Sequence, residues 1–300
     1  MKNSAPACLI INPAARQVTR NLGRAVAGSL ASRFDLQVKQ TTGVGSAVRL
    51  AGKAVASGAG VVFAMGGDGL INEVLNGVAD APDVKIGVVP AGTMNVLARN
   101  LGIPLDPLLA AALAVKNSGS TRVSLSKANG RLFALSCGSG FDAEAAVRIE
   151  AGKVKKKWLG PSYFYMAAMR TFLGSYIGRE PYLLCEGEFA SHRSVMVTAV
   201  NSGPYAYCLG RPLKLTRACG VEGKLGMFSL SRLHASRIPI YAWGALVSGR
   251  FGAHSSAIED LDGFTVSGPL PFPVQVDGEP LAPVDRLQVE AGAGSATIIV

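Results

Sequence analysis

Gly66-Gly67-Asp68-Gly69 follows an apolar run at residues 61–65 and precedes residues 70–78, where apolar side chains recur at helical spacing. This order predicts a buried strand, a tight glycine turn and a helix. Glycines at such a turn let a phosphate group approach the bare backbone, and the helix N-terminus adds amide donors and a positive dipole. The stretch therefore predicts a phosphate-binding turn.

Asp68 is the unexpected member of this turn, because a carboxylate repels a phosphate group at close range. A divalent cation such as Mg²⁺ lying between the two groups would resolve the conflict. The alternative is a glycine-rich turn in which the aspartate serves as a cap. The stretch by itself leaves both interpretations open.

Strand and helix alternate four times over the first hundred residues, with strands expected at residues 7–11, 36–40, 61–65 and 84–89. This alternation predicts a doubly wound α/β domain with a parallel sheet, whose ligands bind beyond the carboxyl ends of the strands. The loops Asn12-Pro13, Gly66–Gly69 and Gly92-Thr93 all fall at those ends. Their agreement predicts one shared nucleotide site.

After Pro104 the pattern changes to short β-prone runs separated by turns, which predicts a second, β-rich domain. The motif at residues 138–143 matches G-x-G-x-x-A, but no acidic residue lies between 151 and 179, so a glycine-rich turn is preferred to a dinucleotide site. The expected strands are residues 122–126, 132–137, 182–186, 194–201, 213–217, 225–231, 264–266, 274–276 and 287–289, with helices at 143–151, 162–173 and 239–248.

Composition narrows the function classes. The net charge of +10 favours anionic partners, namely nucleotides, acidic lipids or nucleic acid. Five scattered cysteines without a C-x-x-C pair argue against a disulfide framework and structural zinc, and suit a cytoplasmic protein. No apolar stretch reaches the roughly 20 residues needed to span a bilayer, so any membrane contact is expected to be peripheral.

Two clusters in the second half could carry function. Lys153, Lys155, Lys156 and Lys157, with aromatic neighbours, suit an anionic membrane surface, or else form a solvated basic face. Nucleic acid is disfavoured because no recognition fold accompanies them. Asp277-Gly278-Glu279 is either a surface hairpin or the position of a general base beside a substrate hydroxyl.

These motifs together resemble the diacylglycerol kinase catalytic domain family, which includes bacterial lipid kinases, sphingosine kinases and ceramide kinases. The resemblance rests on Gly66–Gly69 followed by Asn72-Glu73-Val74, and on Pro90-x-Gly92-Thr93-x-Asn95. It implies an α/β ATP-binding domain at residues 1–120, completed by 285–300, and a C-terminal β-sandwich lipid-substrate domain at 121–284. The implied function is ATP- and Mg²⁺-dependent phosphorylation of a lipid hydroxyl by a cytoplasmic, peripherally membrane-associated enzyme. A homodimer is left open.

The resemblance also implies roles for individual residues. Glu279 would accept the proton of the lipid hydroxyl, and Asp68 would act beside it in catalysis. A structural Mg²⁺ would be held by Glu222 with backbone oxygens of Cys219 and Lys224. The residues implied to bind ATP are Asn12, Thr41, Gly66, Gly67, Asp68, Gly69, Leu70, Ile71, Asn72, Glu73 and Thr93.

Several positions depart from the family pattern, among them Glu222 in place of the metal-loop aspartate and Ala14-Ala15 in place of the usual Ser-Gly. Leu70 stands where threonine is usual, and Val96 and Ser124 stand where aspartates are common. These departures leave two alternatives to a lipid kinase: a nucleotide- and lipid-binding relative without turnover, and a soluble enzyme similar to NAD kinases.

Overall fold

The structure is a computed structural model that describes residues 4–116, 119–152, 161–208, 210–216, 223–244, 247 and 251–300. The chain divides into two compact units. The first comprises Met1–Val123 with Gly294–Val300, and the second comprises Ser124–Ala293. The boundary lies three residues beyond the predicted one, and the C-terminal segment of the first unit begins at residue 294 rather than 285.

The first unit is an α/β sheet in which every neighbouring pair of strands is parallel, in the order β2-β1-β3-β4. Strand and helix alternate along the chain as predicted. The elements are β1 (Ala5–Ile11), α1 (Arg20–Ala31), β2 (Phe34–Gln40), α2 (Ser46–Ala56), β3 (Val61–Gly66), α3 (Asp68–Gly77), β4 (Lys85–Pro90), α4 (Val96–Asn100) and α5 (Pro107–Val115).

Helices cover both faces of this sheet. Leu9, Phe63 and Met65 point to one face, where they form a core with Val26 of α1 and Ala111 of α5. Helices α2 and α3 pack together and against β1 and β3. Because both faces are covered, the strands are almost continuously apolar rather than alternating. The predicted doubly wound α/β arrangement is confirmed.

The last strand of the chain completes this sheet. Its residues Thr297, Ile298 and Ile299 pair in parallel with Lys85–Gly87 of β4, and the Ile298 side chain is fully buried. The Val300 amide then donates a hydrogen bond to the Gly119 carbonyl at 3.0 Å. The edge of β4 is thereby covered by the end of the chain.

The second unit is rich in antiparallel strands, in the order β14-β13-β10-β7-β15-β16, with β8 and β9 paired beside β15. Strand β5 begins, and β16 ends, in the first unit. The strands are β5 (Ser120–Ala128), β6 (Arg131–Phe133), β7 (Ser136–Gly140), β8 (Leu183–Gly187), β9 (Phe189–Ser194), β10 (Met196–Val200), β11 (Ala206–Cys208), β12 (Arg211–Leu213), β13 (Leu225–Leu230), β14 (Ser255–Leu261), β15 (Gly263–Val276) and β16 (Glu279–Ile299).

Helices α6 (Phe141–Ala151), α7 (Pro161–Thr171) and α8 (Ile238–Trp243) belong to the same unit, and α7 continues as a π-helical turn over Phe172–Tyr176. None of the helices in the described ranges combines the length and the apolar character needed to cross a membrane.

Several predicted boundaries in this unit are wrong. Residues 264–266 and 274–276 are parts of one strand, β15, whose register shifts between Ser267 and Phe272. Prolines at 269, 271 and 273 interrupt the apolar alternation there, since proline cannot donate to a β ladder. The expected strand at 213–217 lies earlier, at β12, and β9 and β14 were not predicted. The last helix is described over Ile238–Trp243, and positions 245, 246 and 248 of its predicted extent lie outside the described residues.

The return of the last strand can be tested at its buried side chain. Ile298→Ala should lower the free energy of unfolding of the first unit by about 2–5 kcal/mol, because a fully buried side chain leaves a cavity. Urea denaturation combined with hydrogen exchange of the β4 amides measures the effect. The half-exposed neighbour provides the control, and Thr297→Ala should change stability by less than about 1 kcal/mol. Equal effects of the two substitutions would contradict this placement.

Candidate functional site

The predicted loops of the first unit meet at the carboxyl edge of its sheet. The Asn12 amide donates to the Met65 carbonyl at 3.0 Å, and the Ala91 amide donates to the Gly66 carbonyl at 2.7 Å. The Gln17 amide donates to the Ala91 carbonyl at 3.1 Å. Backbone hydrogen bonds therefore join the turns that follow β1, β3 and β4 into one layer.

In two of these turns a glycine is needed because a larger residue would collide with its neighbours. A Cβ atom added to Gly92 would lie 2.5 Å from the Gly67 Cα, closer than real Cβ contacts allow. A Cβ atom added to Gly66 would lie 2.6 Å from Cδ2 of Leu70. Glycine at position 92 lets the turns after β3 and β4 approach each other, and glycine at position 66 leaves room for the Leu70 side chain.

The Asp68 carboxylate binds the turn after β4. Its Oδ2 accepts a hydrogen bond from the Val96 amide and its Oδ1 accepts one from the Leu97 amide, both at 3.0 Å. These amides lie at the N-terminus of α4, where a carboxylate is stabilised by unpaired donors and by the helix dipole. The aspartate is therefore a cap, but of α4 rather than of its own helix. This contact accounts for a carboxylate at a phosphate-type turn without an intervening cation.

Glu73 plays a similar part at a second helix. Its Oε1 accepts from the Gly45 amide and its Oε2 from the Ala47 amide, both at 2.8 Å. Both amides belong to the start of α2, and the glutamate side chain is buried. Glu73 thus fixes the loop that follows Thr41, and both carboxylate oxygens have backbone donors.

The side chains predicted to bind ATP fall into two groups. Leu70, Ile71 and Asn72 are buried in the protein interior, so any contact between them and a nucleotide would be through the backbone. Thr41 and Thr93 are partly exposed beside the turns. Asn12 is also partly exposed, and its Oδ1 accepts a hydrogen bond from the Ala14 amide at 3.0 Å.

What the glycine turn offers to a ligand is its backbone. The first amides of α3, from Asp68 to Leu70, have no acceptor within the helix, because only the fourth and later amides of a helix reach one. The Ile71 amide already donates to the Gly67 carbonyl at 3.2 Å. Such amides, with the positive end of the helix dipole, suit a phosphate group.

In the second unit the acidic turn is a two-residue hairpin between β15 and β16. Asp277 and Gly278 both have positive φ angles, as a type I′ hairpin requires, and Val276 pairs with Glu279. The Asp277 carboxylate accepts hydrogen bonds from three backbone amides, at distances of 2.9–3.1 Å. The donors are Ala134, Leu135 and Ser136.

Glu279 is the more accessible of the two acids. Its side chain is about one third exposed, and its Oε2 lies 3.8 Å from an Arg131 guanidinium nitrogen. Asp277 is instead buried and serves to anchor the hairpin. The structure thus assigns the two carboxylates of the motif different environments, which their adjacency in the sequence does not reveal.

A buried polar network, which sequence reasoning missed, supports this hairpin. The Asp142 carboxylate accepts hydrogen bonds from the Tyr205 hydroxyl, from Gln275 Nε2 at 2.8 Å and from the Thr198 hydroxyl at 3.3 Å. Gln275 Oε1 in turn accepts a hydrogen bond from the Gly278 amide at 2.7 Å. The network therefore runs from the start of α6 to the hairpin that carries Glu279.

Burial governs the electrostatics of this network. Desolvation raises the pKa of the Asp142 carboxyl above its ordinary value, although the hydrogen bonds from Tyr205, Gln275 and Thr198 oppose the rise. Desolvation and the neighbouring carboxylate also raise the pKa of Tyr205. Glycine at position 138 makes room for this carboxylate, since a Cβ atom there would lie 1.6 Å from Oδ2 of Asp142.

Some predicted residues lie outside the described part of the chain. Cys219 and Glu222 of the expected Mg²⁺ loop, and the lysines at 153 and 155–157, are among them. Lys224 is described, and its Nζ lies 2.7 Å from Oδ1 of Asp262. Within the described ranges, no group of three or more His, Cys, Asp or Glu side chains could hold a metal ion.

The contacts of two departures from the family pattern, Val96 and Ser124, are described by the structure. Val96 contributes its amide, not its side chain, to the Asp68 contact. The Ser124 carbonyl accepts a hydrogen bond from Asn201 Nδ2 at 2.7 Å, and the same nitrogen donates to the Ala134 carbonyl at 2.9 Å. The aspartates that the family commonly has at these two positions are therefore absent from this chain.

Comparison with solved structures defines the class of fold. A crystal structure of a diacylglycerol kinase from Bacillus anthracis str. Sterne matches 100% of this chain and 98% of its own, with a TM-score of 0.74 and 23% identity. An NAD kinase from Archaeoglobus fulgidus, solved in complex with ATP, matches 98% of this chain and 93% of its own, with a TM-score of 0.51 and 10% identity. At these identities the likeness establishes the fold alone.

Sequence comparison then supports the family resemblance. Residues 6–128 match the family model of the diacylglycerol kinase catalytic domain. A probable lipid kinase YegS-like from Pseudomonas aeruginosa is 28% identical over 263 residues, 86% of this chain and 82% of the relative. The diacylglycerol kinase of Bacillus subtilis is 34% identical over 137 residues, 45% of each chain. Residues 6–128 thus match the family that the motifs resemble, and the predicted resemblance is confirmed.

The capping role of Asp68 can be tested without any ligand. Asp68→Ala should lower the free energy of unfolding by about 1–3 kcal/mol in the presence of EDTA and the absence of nucleotide, because two backbone amides lose their acceptors. Denaturant unfolding measures the change. The exposed Asp80→Ala is the control and should stay within about 0.5 kcal/mol of the unsubstituted protein. An unchanged stability of Asp68→Ala in EDTA would instead indicate a residue that acts only through a ligand.

The raised pKa of Asp142 leads to a second prediction. Because the pKa of this carboxyl is higher in the folded protein than in the unfolded chain, its contribution to stability is lost as the pH rises above the ordinary range of an aspartate. Asparagine does not titrate. The stability of Asp142→Asn relative to the unsubstituted protein should therefore increase as the pH rises above about 4, the ordinary pKa of an aspartate, as measured by urea denaturation. Exposed Asp285→Asn provides the baseline, and parallel curves for the two substitutions would contradict the prediction.

Proposed function

We propose that this protein is a lipid kinase that transfers the γ-phosphoryl group of ATP to a hydroxyl group of a diacylglycerol-like lipid. The observation that carries the proposal is the layer of three turns at the carboxyl edge of the first unit, within the residues that match the diacylglycerol kinase catalytic domain. The named relatives are kinases, and one of them is a diacylglycerol kinase. ATP is the expected co-substrate of this family.

In this proposal ATP binds through its phosphates to the start of α3. The amides from Asp68 to Leu70 would donate to phosphate oxygens, and Asn12, Thr41 and Thr93 would line the remainder of the nucleotide site. Asp68 acts as a positioning residue, because its carboxylate holds the turn after β4 in place. Mg²⁺ would supply charge neutralisation on the phosphates when it is bound. The described side chains form no ligand set for it, and no step below depends on it.

Glu279 would act as the general base. Its carboxylate would take the proton of the lipid hydroxyl while the hydroxyl oxygen forms a bond to the γ-phosphorus. The bond from that phosphorus to the oxygen bridging to the β-phosphate breaks, and ADP leaves. Phosphoryl transfer depends chiefly on positioning and on charge stabilisation, so an anchored hairpin suits the task. The three amides bound by Asp277 supply that anchor.

The lipid substrate resides in a membrane, so the enzyme must reach the bilayer surface. Lys153, Lys155, Lys156 and Lys157 would provide electrostatic attraction to anionic headgroups, with each basic residue near the surface worth about 1 kcal/mol. This contact would be peripheral and would place the protein at the cytoplasmic face of the membrane.

One observation favours a second candidate function, a nucleotide- and lipid-binding protein without turnover. Leu70 offers no hydroxyl where the family usually has threonine, and its side chain is buried against Gly66. Loss of one charge-assisted hydrogen bond costs about 1.5–3 kcal/mol, which would slow transfer without preventing nucleotide binding.

An activity assay separates the two candidates. Labelled ATP, Mg²⁺ and mixed vesicles containing diacylglycerol should yield a phosphorylated lipid, and Glu279→Gln should lower kcat by about 10²–10⁴-fold with little effect on ATP binding. The exposed Glu290→Gln is the matched control and should retain full activity.

The kinase proposal fails if no lipid gains phosphate. ATP-induced thermal stabilisation without turnover would then support the second candidate. Equal activity of Glu279→Gln and Glu290→Gln would remove the general-base role from Glu279 while leaving the kinase proposal in place.

A further inference from the structure

Helix α7 and the π-helical turn after it carry an apolar stripe that faces outward. Met166, Met169, Leu173 and Ile177 recur at spacings of three and four residues and are each 44–58% exposed. Phe172 and Tyr176, which lie on the other side of the turn, are buried in the core of the second unit. The segment is therefore apolar on both sides, whereas a water-facing helix is polar on its outer side.

Helix α8, together with Val247 four residues beyond its end, repeats this arrangement. Ile240, Trp243 and Val247 recur at spacings of three and four residues and are 46–61% exposed. Ile238 and Tyr241 of the same helix pack inward against the core. A large exposed tryptophan in such a stripe is characteristic of segments that lie at a membrane–water interface.

The two stripes are neighbours, because their inner sides cover the same core. Phe172 and Tyr176 contact the cluster against which Ile238 and Tyr241 also pack. Ile177, at the end of the first stripe, forms a parallel β-bridge with Leu233, a few residues before α8. Together, the two stripes form an exposed apolar surface of the second unit, and we refer to it as the two-helix face.

The two segments that form the two-helix face contain basic residues and no acidic ones. Residues 152–178 and 223–258 contain no Asp or Glu. Basic side chains in these segments include Arg170, which is exposed on α7, and Arg237, which directly precedes α8. The His234 and His254 rings lie near each other, with centroids 5.4 Å apart.

Two acids close to these segments are paired with arginines. Glu180 lies 2.7 Å from Arg232, and Glu144 lies 3.0 Å from Arg179. The apolar side chains are thus bordered by positive charge that is not offset by acids within their own segments. This charge is complementary to an anionic surface.

We propose that the two-helix face is a membrane-docking surface, which inserts its apolar side chains below the headgroups of an anionic bilayer. Contiguous exposed apolar side chains bordered by basic residues are the signature of segments that lie in the interfacial plane of a membrane. The proposal deepens the lipid-kinase function, since docking would bring the second unit to its substrate. It also adds an inserted apolar contact to the electrostatic contact expected of Lys153 and Lys155–157.

The tryptophan content of the chain allows a direct test of insertion. The protein has two tryptophans, Trp158 and Trp243, so Trp158→Phe leaves Trp243 as the single reporter. Vesicles of phosphatidylglycerol and phosphatidylcholine should shift its emission to the blue, and brominated acyl chains should quench it. Vesicles of phosphatidylcholine alone should produce neither change, because the basic border then has no anionic partner.

Vesicle flotation of paired variants identifies the residues responsible. Ile240→Ser with Trp243→Ser, and separately Leu173→Ser with Ile177→Ser, should each lower the partition coefficient by roughly tenfold or more, as expected from losing two buried apolar groups. Leu270→Ser is the matched control, since Leu270 is 74% exposed but lies on β15, outside the two-helix face. The control should bind vesicles as the unsubstituted protein does.

The outcomes separate this proposal from the proposed function. Unchanged vesicle binding of both serine pairs, or binding that is lost only when Lys155, Lys156 and Lys157 become Glu, would overturn the docking surface. Emission of Trp243 that stays unshifted with anionic vesicles would also overturn it. Activity toward a short-chain lipid in detergent should survive in the serine variants, which shows that they fold. If no variant phosphorylates lipid but vesicle insertion occurs as predicted, the kinase proposal fails and the docking surface stands.

Discussion

The arrangement of the candidate nucleotide site depends on one contact, the pair of hydrogen bonds from the Val96 and Leu97 amides to the Asp68 carboxylate. This contact ties the turn after β3 to the turn after β4, where the backbones of Gly67 and Gly92 approach so closely that position 92 has no room for a side chain. Glu73 fastens the start of α2 in the same manner. A carboxylate at a helix N-terminus gains both donors and a favourable dipole, which offsets the cost of its burial.

This use of carboxylates changes what the glycine turn can do. With Asp68 and Glu73 engaged by backbone amides, and with Leu70 and Asn72 buried, α3 presents mainly its first amides to a ligand. A phosphate site built from backbone depends less on the identity of the following side chain than one built from hydroxyls. The leucine at position 70 is therefore compatible with nucleotide binding through the backbone.

The second unit applies the same constraint to its hairpin. The Asp277 carboxylate accepts hydrogen bonds from three backbone amides. Gln275 donates a hydrogen bond to Asp142 and accepts one from the Gly278 amide, so the turn before Glu279 is fixed by two sets of hydrogen bonds. Neither acid is available to a substrate, which leaves Glu279 as the accessible carboxylate of the motif. A buried carboxylate with satisfied hydrogen bonds specifies a single arrangement, whereas a partly satisfied one would destabilise the core.

The sequence by itself determined the order of strands, turns and helices in the first unit, the positions of its glycine turns and the family resemblance. These features depend on periodicity and on residue types that are close along the chain. Tertiary structure alone decided what each acid binds: the partners of Asp68 lie 28 and 29 residues away, and those of Asp277 lie 141–143 residues away. It also decided which side of α7 and α8 meets solvent. Helical spacing shows which residues share a face, but a segment that is apolar on both sides does not reveal which face the core will cover.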